Sequence, residues 1–340
     1  MPLKVSAGTG YVGVRSPAHP VASALLEASQ LPVAAPSANR FGHVSPTSAA
    51  HVLSDLGNQP IAVLDGEAAT STAATPAFTC AVGIESTVLG ISDDGRTLTM
   101  FRRGGLPKAD ITAALHCAGE RGWSWAESAA AARSSASSDS TAVAAASSGA
   151  AHASAGASGD SAAPEESEAA AAPGQLLTHY APDIVTYMLP MLPLGAAVHM
   201  GSADPAVLKH CALIDFAGSY SALQDLVGAY RDLSPGGDAA AAAQGVYAAL
   251  RWTEEAAAAE GSAIRLALLP SAALANGDEA TAAVSSGHGM AAAVVDRLFR
   301  AASGKCLAAP PSAEAWGPQL LREVRGVLPE EHSGKSVQHV

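Results

Sequence analysis

The chain has 340 residues, 49% of them apolar, and a formal net charge of −12. That length allows two ordinary domains with separate cores, and the acidic balance argues against an extended basic nucleic-acid surface. Cys80, Cys117, Cys211 and Cys306 stand alone, with no C-x-x-C pair, so neither a zinc site nor a disulfide framework is expected. No apolar run reaches the roughly 18 residues of a membrane span. The N-terminus has no charged segment followed by an apolar stretch, so no secretory signal is expected. A cytoplasmic protein without a membrane partner follows, with an organellar address left open.

Composition divides the chain into zones. Residues 1–117 mix strand-like and helix-like patterns and hold most of the polar motifs. Residues 118–172 are dominated by Ala, Ser and Gly with almost no large apolar side chains. Such a segment cannot bury enough apolar area to offset its ordering entropy, so it reads as a disordered insert. Residues 173–183 read as a linker, 184–305 as a second α/β domain, and 306–340 as a tail.

In chain order, Tyr11–Arg15 reads as a short strand. Pro20–Ser29 is a helix with Val21, Leu25 and Ala28 on one face. Leu31–Ala35 is a buried strand ending in the Pro36–Asn39 turn. Ser45-Pro46-Thr47 opens a helix running to Leu56, with Ser45 as N-cap and Pro46 in the first turn. Ile61–Asp65 is a further strand, Gly83–Gly90 pairs with Thr97–Phe101, and Asp110–Leu115 is a short helix. In the second domain Ala196–Met200, Ala212–Phe216 and Ile264–Leu269 are strands, while Asp238–Glu254 and Met290–Ala302 are helices. Alternating strands and helices of this kind form a layered α/β sandwich.

Polar groups cluster at the ends of the apolar runs. Arg15 closes a strand before Pro17, where a guanidinium either grips a carboxylate through two parallel hydrogen bonds or simply caps the strand end. Ser37 and Asn39 sit in a tight turn whose hydroxyl and N–H groups suit a phosphate or ribose oxygen, or merely hold the turn. Ser45 is an N-cap, and a helix N-terminus is also an anion site. Glu85-Ser86-Thr87 follows Gly83. Phe101-Arg102-Arg103-Gly104-Gly105 ends a strand with paired cations beside flexible glycines, either phosphate-facing or solvated. His19, His43, His51 and His179 lack metal-ligand spacing, so no protein-held metal is expected, and His19 reads as structural. The Gly287-His288-Gly289 turn lacks G-x-G-x-x-G and is a weak dinucleotide signal.

The order of these motifs is more specific than any one of them. VGVRSPAHP, APSAN, SPT, GIEST and FRRGG, followed by THYAP after the insert, resemble the threonylcarbamoyl-AMP synthase family of YrdC-like enzymes. The segments YRDLSPGGDAAAAAQGVYAALR and GHGMAAAVVDRL resemble the Rossmann-like C-terminal domain of its longer members. The resemblance implies a fold made of a partial YrdC-like twisted open-sheet domain, the insert, and a small Rossmann-like α/β domain. It implies a nucleotidyltransferase that joins L-threonine, bicarbonate and ATP into threonylcarbamoyl-AMP and releases pyrophosphate, serving tRNA t6A37 modification. Mg2+ would accompany the phosphates, double-stranded RNA binding is a family attribute, and the product would pass to the tRNA threonylcarbamoyl transferase machinery. By motif, Arg15 would hold the threonine carboxylate, with Ala35 and Ser86 lining its pocket. Tyr11, Ser37, Ser45 and Arg102 would contact the nucleotide, and Tyr180 would close over the ATP side. No covalent catalytic residue is implied.

The chain departs from the pattern in three ways. Tyr11 stands where a Thr is usual, Arg103 replaces the Pro of an R-P-G turn, and the family's first strands, with a Lys, an Arg and a Pro-Gly-Pro segment, have no counterpart before Met1. The last departure suggests an N-terminally truncated chain. A competing expectation is therefore an inactive remnant acting as a binding or scaffold module. A related carbamoyl-transfer enzyme of hydrogenase maturation would require acylphosphatase-like and zinc-finger segments, and neither is visible.

Overall fold

The computed structural model describes residues 6, 11–66, 80–128, 174, 176–190, 200, 204–271, 287–310, 312 and 314–329. Helix α1 (Pro20–Ser29) has the expected bounds: Pro20 supplies a preset φ in the first turn, and Gln30 ends the helix in the left-handed region at φ 51°. Helix α2 (Ala49–Leu56) begins later than the sequence suggested. Ser48 is the N-cap, its hydroxyl accepting from the His51 N–H at 3.3 Å, so Ser45 and Pro46 precede the helix.

The expected strands at Tyr11–Arg15, Leu31–Ala35 and Ile61–Asp65 form no ladder with other described residues. A strand needs a neighbour for its N–H and C=O groups, and apolar patterning alone does not supply one. Their side chains face outward, with Val14 88% and Leu31 69% exposed. Leu64 joins Pro20, Val21, Ala24 and Leu25 of α1 around an open apolar hollow of about 360 Å³.

Strands β1 (Val88–Ile91) and β2 (Thr97–Arg102) pair antiparallel, as anticipated, with Leu89 opposite Met100. Helix α3 (Lys108–Cys117) then returns the chain to β3 (Ser124–Glu127), which lies parallel to β2. Strand β3 falls inside the stretch read from composition as insert. Ser124 to Glu127 pair in register with Thr97 to Met100, so ordered structure continues past residue 117. Residues 129–172, the remainder of that stretch, lie outside the described residues.

The second sheet is wholly parallel, in the order β4-β7-β5-β6, built from β4 (Val185–Met188), β5 (Cys211–Asp215), β6 (Ala229–Asp232) and β7 (Leu266–Leu269). Strand β5 is buried along its whole length, as a strand covered on both faces must be. Alternate residues supply the two faces. Ile214 and Leu269 pack against helices α4 (Ala239–Ala258) and α5 (Gly287–Ala301). Leu213 and Leu268 pack against helix α6 (Trp316–Val327). Asp238 caps α4, accepting from the Ala240 N–H at 2.8 Å. Helix α6 corrects the reading of residues 306–340 as a tail: Trp316, Leu320, Leu321 and Val324 are buried at helical spacing. Residues 196–199, expected as part of a strand, lie outside the described residues, and α5 already begins at Gly287, where a turn was expected.

The core under α4 and α5 is shared with the first part of the chain. Val44, Ile84 and Tyr180 belong to the same apolar cluster as Val246, Leu250 and Leu298. The motif-bearing segments therefore rest on the C-terminal domain.

Candidate functional site

Four of the motif segments, SPT, GIEST, FRRGG and THYAP, meet at a boundary organised by a half-buried carboxylate and a buried one. The first is Glu85 of GIEST. Both its oxygens accept from the Tyr247 hydroxyl at 2.6 Å, and Oε2 accepts from Arg297 Nη2 at 3.0 Å and Nε at 3.2 Å. Ser45 Oγ donates to Oε1 at 3.3 Å. Burial alone would raise the Glu85 pKa; the Arg297 charge, the Tyr247 bond and the Arg102 charge outweigh it and hold it at about 2. Burial raises Tyr247 well above its ordinary value, helped by the Glu85 charge, so its hydroxyl stays a donor.

The second carboxylate is Asp55 of α2. Arg251 Nη2 donates to its Oδ2 at 2.8 Å, and His43 Nδ1 lies 2.8 Å from the same oxygen. The other His43 nitrogen meets Glu254 Oε1 at 2.7 Å. Burial opposes ionisation of Asp55, yet its bonds to Arg251 and His43 bring its pKa down to about 2. The bond to Glu254 raises His43 against the effect of burial, and Asp55 adds to the rise. Arg40 pairs with Asp183 beside them.

The expected ligand residues fall into three places. Arg15 and Ala35 are in direct contact: Arg15 Nη2 donates to the Ala35 carbonyl at 2.8 Å. Ser86 and Arg102 form the next pair, with Arg102 Nη2 and Nε donating to the Ser86 carbonyl at 2.8 and 3.2 Å. Gly104 explains how the FRRGG and GIEST segments fit so closely. A Cβ there would stand 2.2 Å from Thr87 N and 2.3 Å from Ser86 C, so only glycine fits. Tyr11 lies beside this pair, its ring tilted 53° to that of Phe101 with the centroids 5.9 Å apart. Ser45 joins through Glu85. Ser37 is exposed in its turn, and Asn39 holds that turn by donating to the carbonyls of Arg40 and His43.

Tyr180 of THYAP is 1% exposed, with its ring centroid 5.2 Å from Tyr247 and the Arg297 guanidinium 5.9 Å from its centre. Its φ of 60° is unusual for a side chain of that size. The linker is pinned on either side by the His179 N–H on the Arg300 carbonyl and the Ala181 N–H on the Gly42 carbonyl. Gly174 passes directly over the Tyr180 hydroxyl and beside the Arg102 Cδ. The linker thus lies against the Arg102 side of the cluster.

Arg251, Arg297, Tyr247 and Asp55 escaped the sequence reading. The available signal was position: Arg251 follows Leu250 and Arg297 precedes Leu298, on helix faces that are otherwise apolar. Among the described residues, His43, Asp183 and Glu254 are the one group spaced to hold a metal ion. Their acceptors already serve protein donors: Arg40 takes Asp183, while His43 and the Asp183 N–H take Glu254. That donor set does not fit a magnesium cage, which favours carboxylates and water over imidazole. Among the described residues, no helix is long and apolar enough to cross a membrane.

The chain is a mixed α/β protein in two parts, with a parallel C-terminal sheet and a linker packed against the Glu85–Tyr247–Arg297 cluster. Comparison with known proteins narrows that class. A Sua5/YciO/YrdC family model, described as telomere recombination, matches residues 1–104. A second, the C-terminal domain of threonylcarbamoyl-AMP synthase, matches residues 141–303. Curated threonylcarbamoyl-AMP synthases from Bacillus subtilis and Pyrococcus abyssi are 41% and 38% identical over 112 and 111 residues, 33% of this chain and 29% of each relative. The Schizosaccharomyces pombe enzyme is 40% identical over 111 residues, 32% of this chain and 24% of the relative. These matches span under a third of the curated relatives' own length. A crystal structure of P. abyssi Sua5 complexed with L-threonine shares the fold with TM-score 0.54 at 23% identity, covering 90% of this chain and 68% of that one. The chain belongs to the threonylcarbamoyl-AMP synthase family.

Proposed function

We propose that the protein makes threonylcarbamoyl-AMP and pyrophosphate from L-threonine, bicarbonate and MgATP, supplying the tRNA threonylcarbamoyl transferase machinery for t6A37. The threonine amine attacks bicarbonate to give a carbamate and water. A carbamate oxygen then attacks the α-phosphorus of ATP, and pyrophosphate leaves. This chemistry rests on positioning and charge stabilisation, with no covalent nucleophile. The magnesium would arrive with the nucleotide.

The observation that carries the reading is the convergence of Ser45, Ser86, Arg102 and Tyr180, from separate motifs, around Glu85. In this assignment Arg15 holds the threonine carboxylate, and Ala35 and Ser86 line the amino-acid pocket. The Arg15–Ala35 contact favours that grouping. Tyr11, Ser37, Ser45 and Arg102 take the nucleotide. The Arg102 guanidinium donates to the Ser86 carbonyl, which supports setting the phosphate side next to the threonine side. Tyr180 and its linker cover the nucleotide and exclude water. The P. abyssi structure, complexed with L-threonine, supports threonine as the amino-acid ligand. The test is pyrophosphate release from MgATP with and without L-threonine and bicarbonate. Release that requires both supports the reading. Release independent of threonine overturns it.

A further inference from the structure

Two arginines of the C-terminal domain reach across the boundary and hold backbone of the motif segments. Arg251 of α4 donates through Nη2 to the Val44 carbonyl at 2.6 Å, and its Nε approaches the Ser45 carbonyl at 3.5 Å. The same guanidinium is fixed by Asp55 of α2. Arg297 of α5 donates through Nη1 to the Arg103 carbonyl at 2.6 Å while Nε and Nη2 hold Glu85. Both side chains are buried, at 5% and 0% exposed. Arg251 thus bonds Asp55 of α2 and the Val44 and Ser45 carbonyls, and Arg297 bonds Glu85 of GIEST and the Arg103 carbonyl beside Arg102.

A buried guanidinium tied at several points is a rigid fixture, because its planar fork loses little freedom for each bond formed. Neither arginine has its charged atoms near enough to solvent to serve as a surface pair. We propose that Arg251 and Arg297 are positioning residues of the synthase site: Arg251 sets the Ser45 segment and Arg297 sets the Glu85-Ser86 and Arg102-Arg103 segments. The C-terminal domain thereby becomes a structural half of the nucleotide site. The proposal rests on the synthase reading for its consequence in binding, but the local fixing of the two segments stands apart from it.

The test compares Arg251→Met and Arg297→Met in the full chain, each retaining length and apolar packing. Hydrogen exchange follows the amides of His43 and Thr47 on one segment, and of Gly105 and Leu106 on the other. Titration with MgATP follows binding. Arg251→Met should speed exchange at His43 and Thr47 about tenfold or more, leaving Gly105 and Leu106 near wild type, with Arg297→Met doing the reverse. Amides of β5 and β7 should stay protected in both. Each variant should weaken MgATP binding by about tenfold or more, and lysine, which keeps the charge without the fork, should restore binding only in part. Equal loosening of both segments, or loosening that extends to β5 and β7, would overturn the proposal in favour of general destabilisation. So would unchanged MgATP affinity in a variant whose segment has loosened. Local loosening in a chain whose wild type binds no MgATP keeps the positioning and sinks the synthase reading.

Discussion

Asp55→Asn is the sharpest perturbation of the boundary. The carboxylate is 2% exposed and holds Arg251, itself 5% exposed, together with His43. Asparagine keeps the shape and removes the charge, so Arg251 is left buried beside a neutral amide. Linkage gives one magnitude. A carboxyl lowered from 3.8 to about 2 stabilises the fold by roughly 2.5 kcal/mol at neutral pH, at about 1.4 kcal/mol per pH unit. Breaking a buried pair from one side gives a similar or larger figure, about 3–5 kcal/mol. The expected loss is therefore about 2–5 kcal/mol, measured by urea unfolding of wild type and variant at pH 7 followed by tryptophan fluorescence. Four tryptophans are present, and Trp316 reports the C-terminal core directly. The double variant Asp55→Asn with Arg251→Met should regain part of the loss, since the orphaned charge is gone. A single-variant loss under about 0.5 kcal/mol, the size of an ordinary surface change, would refute the buried-pair reasoning.

Acid and alkali should weaken the boundary by different routes. The depressed Asp55 and Glu85 values give stability that is complete above their ordinary values of 3.8 and 4.5 and is lost as pH falls toward about 2. The raised His43 value gives stability that is complete below its ordinary 6.5 and is lost as pH rises through the raised value. Unfolding midpoints should therefore peak between about pH 4.5 and 6.5, and His43→Gln should flatten the alkaline decline and also soften the acid one, since His43 helps hold Asp55 down; an identical alkaline limb in that variant counts against the assignment. Trp316→Ala should cost about 3–5 kcal/mol of stability, because the ring fills the core against Tyr220; an unchanged urea midpoint would return α6 to the status of a tail. Arg15→Ala should raise the KM for L-threonine about tenfold or more, the scale of a lost charged hydrogen bond, with MgATP affinity unchanged; equal losses for both ligands would remove Arg15 from the amino-acid pocket.

Local patterns carried the sequence reading where the fold is local. Helix α1 was legible from Pro20 and its apolar spacing, and the β1–β2 pair from alternation on both sides of a turn. Helix α2 starts later than Ser45: Ser45, Thr47 and Ser48 all suit a cap, and Ser48 takes that role, while the Ser45 hydroxyl turns to Glu85, forty residues away. Composition hid β3: an Ala/Ser-rich neighbourhood masked a strand that pairs through its backbone, although Trp123 and Trp125 interrupted that composition. Trp316, Leu320, Leu321 and Val324 carried a helical period in the tail that went unread. The site was half legible. Ser45, Ser86, Arg102 and Tyr180 each lie in a short recognisable string, and those strings pack together around Glu85 and Tyr247. Arg251 and Arg297 carried only a positional signal, beside Leu250 and Leu298 on largely apolar helix faces, and a single arginine there looks like a solvated charge until the facing carboxylate is known.

The central claim is formation of a mixed anhydride between a threonine-derived carbamate and AMP. Its most direct test supplies 13C-bicarbonate, L-threonine and MgATP to the purified chain, and in parallel to the chain fused behind the segment of the B. subtilis relative that precedes the shared region, with products read by mass spectrometry. The account predicts a threonylcarbamoyl-AMP adduct carrying the heavy carbon, lost when threonine is withheld and diminished in Arg15→Ala. An AMP adduct without the label, or no adduct from either form while MgATP and L-threonine are seen to bind, would contradict it.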